Sequence, residues 1–65
     1  MRDPKRIPEF CNELAVLWMK VPDWRFGQLI SNVLGEYVAQ TQRDIFFPED
    51  DEIMAFMKEY FNDNE

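Results

Sequence analysis

Histidine is absent from this 65-residue chain and Cys11 is its only thiol, so the residues whose spacing invites an acid–base or metal reading are carboxylates. Cys11 has no imidazole to activate it and stands in the middle of an apolar stripe, the position of a core residue. One thiol without histidine makes neither a structural zinc site nor an intrachain disulfide. The densest carboxylate group is Glu49, Asp50, Asp51 and Glu52, directly after Pro48. Calcium loops alternate their oxygen ligands around a glycine, and four consecutive acids do not. The same four residues suit the start of a helix, where carboxylates meet the positive end of the macrodipole. Gly27 and Gly35 are the only glycines, and they form no phosphate-cradling loop. The reading is a non-enzymatic protein with no cofactor and no metal.

The formal charge of −6 is unevenly placed. Between Met1 and Arg25 the bases Arg2, Lys5, Arg6, Lys20 and Arg25 balance Asp3, Glu9, Glu13 and Asp23. From Asp44 to Glu65 only Lys58 opposes a run of acids. Such a field repels a phosphate backbone, so nucleic acid is not the expected partner. The basic N-terminal part can instead pair with the acidic C-terminal part, within one chain or between two. No apolar run has the length of a signal-peptide core or a membrane span, which points to a cytoplasmic setting without membrane contact.

The elements that must position these groups are helical. Ile7, Phe10, Cys11, Leu14, Leu17, Trp18 and Val21 recur at three- and four-residue steps within about a 120° arc. Asp3-Pro4 opens this first helix, with a loose first turn because Pro8 follows one turn later. Pro22 disfavours helical geometry at Val21, and Asp23 is placed to cap a second helix. Its stripe is Phe26, Leu29, Ile30, Val33 and Leu34, continued by Tyr37 and Val38, with an end expected between Gly35 and Ala39. Ile53, Phe56, Met57, Tyr60 and Phe61, widened by Met54, give a third helix after Pro48. The expectation is an all-α, compact three-helix domain spanning residues 1–65, with helices at about 4–20, 24–37 and 49–61 and a frayed tail at 62–65. A minor alternative pairs Tyr37-Val38-Ala39 with Ile45-Phe46-Phe47 as a short β-pair around 37–47. In the main reading, Ile45, Phe46 and Phe47 plug the open end of the core.

A three-helix core of this size hides about eight to ten large side chains, and this chain offers more. The surplus directs attention to the second helix, whose other face holds Trp24, Gln28, Ser31, Asn32 and Gly35, all neutral. A solvated helix face usually carries more charge. One account makes the second helix central and covered on both sides. The sharper account is a protein-binding surface, with Trp24 as anchor and Gln28, Ser31 and Asn32 as adaptable polar groups. Trp18, on the first stripe, reads as core.

The segments M-R-D-P-K-R-I-P, W-M-K-V-P-D-W-R-F-G-Q-L-I-S-N and F-F-P-E-D-D-E-I resemble a set of short, uncharacterised bacterial and phage proteins. The shared pattern is Trp18, Pro22-Asp23, Arg25, Gln28-Leu29 and the acidic stretch from Asp44 to Asp51. The resemblance implies a small helical protein of a bacterial or mobile-element setting and assigns no activity or site residue. The resulting expectation is an interaction protein that binds another protein or itself, as a homodimer. The alternative is an acidic inhibitor or nucleic-acid mimic that occupies a basic groove on a host protein through Asp44 to Glu65, with Glu49, Asp50, Asp51 and Glu52 as its acidic patch.

Overall fold

The computed structural model describes residues 2–62. Three helices, α1 (Arg6–Trp18), α2 (Phe26–Thr41) and α3 (Asp50–Tyr60), make an all-α domain with no strand among the described residues. The 37–47 segment holds no β-pair, because Tyr37, Val38 and Ala39 are all inside α2.

The start of α1 is loose, as Pro8 requires. The Asp3 carboxylate accepts the Lys5 backbone N–H at 2.9 Å. Tight turn bonds then run from Arg6 N–H to the Asp3 carbonyl and from Ile7 N–H to the Pro4 carbonyl. Pro8 thus falls in the first helical turn, where a missing N–H leaves nothing unpaired. The helix ends at Trp18, two residues short of the expected limit, and the chain closes successive turns through Val21 and Trp24. That turn occupies Asp23, so α2 does not begin there. Arg25 takes the extended N-cap conformation instead, and the Gln28 side chain accepts the Arg25 backbone N–H at 2.8 Å. The expected Asp23 cap is replaced by this bond from the third residue of the helix.

Helix α2 passes through Gly35 and runs to Thr41, longer than expected. Glycine raises the cost of a helix by about 1 kcal/mol relative to alanine, which the buried stripe on either side outweighs. The helix stops at Gln42, a left-handed residue with φ of 60° whose N–H bonds the Val38 carbonyl. Helix α3 is capped instead by Phe61, whose N–H bonds the Met57 carbonyl, and the left-handed Asn62 follows it, donating its N–H to the Glu59 carbonyl. The remainder of the expected tail, 63–65, lies outside the described residues.

The core is small. Leu17 from α1, Leu29 and Val33 from α2, and Met54 and Met57 from α3 are buried together, with Phe10, Leu14, Trp18, Val21, Trp24, Ile53, Phe56 and Phe61 packed around them. Tyr37 is also buried, edge-on to Phe56 at 5.3 Å between ring centres. Helix α3 packs on both α1 and α2, so it and not α2 is the central element. The 120° stripe of α1 is wider than the surface α3 covers. Cys11, which helical geometry puts at the rim of that stripe and not in its middle, is exposed and not a core residue, and Ile7 is exposed too.

At the corner, the Trp18 indole N–H donates to the Trp24 carbonyl at 2.9 Å, and the Trp24 ring lies 6.3 Å from that of Phe61. The corner thereby ties the end of α1 to the end of α3. Trp18→Phe keeps an aromatic ring but removes this donor, and should lower stability by about 1 kcal/mol, or roughly 4–8 °C in Tm. Leu17→Ala should cost about 3–5 kcal/mol, a large part of the total for so small a domain. Thermal unfolding followed by circular dichroism measures both; a Leu17→Ala loss no greater than that of Trp18→Phe would contradict the core assignment.

Candidate functional site

The neutral face singled out on α2 is open to solvent. Gln28, Ser31, Asn32 and Gly35 are all exposed, so the account in which neighbouring helices cover both sides of α2 does not hold. Trp24 is placed differently. It is half-buried, packed on the core, and its carbonyl holds the Trp18 indole. It belongs to the corner more than to the face. Gln28 is also partly committed, since its side-chain oxygen caps α2. Ser31 and Asn32 remain as the exposed polar groups of the four.

A feature of this face not singled out from the sequence is its regularity. Gly27, Ser31, Gly35 and Ala39 stand four residues apart and form one ridge of small, exposed residues along α2. Gln28, Asn32, Glu36 and Gln40 form the parallel ridge beside it, where Gln40 donates its side-chain N–H to Glu36 at 2.8 Å. Rows at this spacing are the ridges and grooves by which helices pack. The four-residue spacing was present in the sequence as a signal. Neither glycine is required by the fold: a Cβ at Gly27 or Gly35 meets nothing within 4 Å, and neither residue has a positive φ.

The acidic start of α3 is largely spoken for by the chain's own arginines. Arg2 reaches Glu49 at 2.6 Å, Arg6 reaches Asp50 at 2.6 Å and Arg43 reaches Glu52 at 2.7 Å. The Tyr37 hydroxyl also donates to Glu52, at a long 3.5 Å. Asp51 is exposed in the same turn. The basic N-terminal part therefore pairs with the acidic part inside one chain. The carboxylates turn to different partners and do not converge on a common point, and among the described residues no group of three metal-ligating side chains comes together.

A third feature corrects an expectation. Ile45, Phe46 and Phe47 are 41%, 83% and 67% exposed and do not plug the core. Helix α2 continues to Thr41, so the connector begins only after the core has been closed by Tyr37 and Phe56. The two rings rest edge-on against each other at 5.3 Å, above a turn fixed by the Asp44 carboxylate and the Phe46 backbone N–H. At the opposite corner, Val16, Met19 and Phe26 are exposed as well. A shallow apolar hollow lined by Ala15, Trp18, Met19 and Pro22 lies beside them.

No family model, no curated protein and no solved structure matches the chain. No helix among the described residues is long and apolar enough to cross a membrane.

Two measurements check these placements. Gly35→Ala should raise stability by about 1 kcal/mol, because the added methyl meets open space and helix propensity improves. Phe46→Asp should change stability by less than about 0.5 kcal/mol, as for a surface substitution away from packed features. A marked drop in Tm for Phe46→Asp would restore the plug.

Proposed function

We propose that this chain is a non-enzymatic interaction protein that uses the outer face of α2 to receive a helix of a second protein, the simplest such partner being another copy of itself. One observation carries the reading. In a chain of net charge −6, α2 keeps an exposed face whose centre is an uncharged ridge of Gly27, Ser31, Gly35 and Ala39, including two glycines its own fold does not need. Small residues let a second backbone approach closely, and four-residue ridges of two helices interdigitate at a crossing angle of about −50°. Asn32 and the free capacity of Gln28 supply hydrogen bonds at the side of that contact. Exposed Val38 adds apolar area at its edge.

The acidic-mimic reading draws less support, since three of the four carboxylates at the start of α3 are already paired within the chain. The proposal includes no nucleic-acid partner and a cytoplasmic setting. The bacterial and phage resemblance belongs with it as a statement of origin.

The test is the solution mass of the wild type and of Ser31→Arg over a wide concentration range. The wild type should pass from 7.9 kDa to twice that mass as concentration rises. Ser31→Arg, which sets a long charged side chain in the centre of the ridge, should stay monomeric with Tm within about the range of surface substitutions. Equal masses for the two proteins throughout would remove self-association through this face.

A further inference from the structure

Beside the outer face, on the flank where α2 meets α3, an open groove of about 600 Å³ is lined by Glu36, Gln40, Ala55, Phe56, Glu59 and Tyr60. We propose that this groove, which adjoins the outer face of α2 along Glu36 and Gln40, is a second docking site and that it takes an arginine- or lysine-bearing segment of a partner protein. Charge complementarity and ring chemistry carry the assignment together. Glu36 and Glu59 stand on opposite walls, one from each helix, and no cationic side chain is among the lining residues. Glu13, Glu49, Asp50 and Glu52, by contrast, each have a lysine or arginine of the same chain within 2.8 Å.

The remaining walls suit a cation more than a neutral ligand. Phe56 is held in place edge-on to buried Tyr37, and Tyr60 edge-on to Phe61 at 5.0 Å. A guanidinium group stacked on such a ring gains from the negative face of its π-system while its N–H groups reach a carboxylate. Gln40 fixes the Glu36 carboxylate by donating to one oxygen at 2.8 Å, leaving the other for an incoming donor. A polyanion is repelled by the same walls. An arginine segment therefore satisfies each feature of the groove at once, and its binding depends on ionic strength.

The experiment is fluorescence anisotropy with a labelled oligo-arginine peptide at low and high ionic strength. It compares the wild type, a Glu36→Gln/Glu59→Gln variant and a Glu9→Gln/Asp23→Asn control that removes the same charge elsewhere. The groove variant should bind about tenfold more weakly at low salt and the control less than about twofold. Tyr60→Leu should weaken binding by several-fold while both carboxylates remain. Equal weakening in the groove variant and the control would assign binding to the net charge alone and overturn the site, as would failure of the wild type to bind the peptide. Each variant is checked for an unchanged circular dichroism spectrum and Tm. Because Ser31→Arg leaves the groove intact, it should bind the peptide like the wild type, so the two proposals fail independently.

Discussion

The third helix is the wedge on which this fold depends. Met54 and Met57 are the two buried side chains of α3, and they cluster with Leu17 of α1 and with Leu29 and Val33 of α2. Few other buried groups are available. With 65 residues, no disulfide and only one cysteine, the chain has little besides this contact to offset the entropy of ordering its backbone. Methionine suits the position. Its unbranched, flexible side chain fills the uneven space between two helices that approach from different sides. Removing α3 would leave α1 and α2 with apolar stripes and almost nothing to cover them, since the two pack chiefly through it.

Electrostatics fastens what the core cannot reach. The N-terminal segment with the start of α1, and the α2–α3 connector, send arginines to the start of α3: Arg2 and Arg6 from one side, Arg43 from the other. Lys58 and Glu13 make a similar link near the other end of α3. Exposed pairs of this kind contribute only about 0.2–1 kcal/mol each. Their effect is to choose an arrangement. The carboxylates sit at the positive end of the α3 macrodipole, and the arginines that neutralise them come from the segments that need an anchor. Three acids of this stretch are in this way paired within the chain while their side chains stay at the surface.

The helices and their buried stripes were legible because periodicity reports directly on burial: Leu17, Leu29, Val33 and Met57 all lie on the expected apolar lines. What could not be read was how far each stripe would be covered. Cys11 and Ile7 share the α1 pattern with Leu17, yet they fall beyond the reach of α3. Phe46 and Phe47 are as apolar as any core residue, and a sequence places them near a core without saying whether the core is already closed. Closure depended on α2 running through Gly35 to Thr41, a tertiary outcome that overrides local propensity. The candidate site divides in the same way. The neutrality of Ser31 and Asn32 was visible in the residue types, whereas Trp24 owes its half-buried place to bonds across the corner. The groove between α2 and α3 joins Glu36 to Glu59 across two helices, so no local pattern could show it.

These placements give α2 three unlike sides, and the difference between them constrains what the molecule can do. Its inner side is spent on the core. Its outer side is uncharged and narrow, and there the absence of bulk at Gly27 and Gly35 lowers the stability of the isolated helix without relieving any strain or clash in the fold. A helix under selection for stability alone would carry alanine at both positions, because the substitution meets no neighbour. Its flank toward α3 has the opposite character, with carboxylates and rings around a hollow too open to exclude water. Close backbone approach on one side and cation recognition on the next are different physical tasks, and one occupant does not satisfy both. The small-residue ridge and the groove beside it are thus chemically distinct surfaces of one helix, and Glu36 and Gln40 form the border between them.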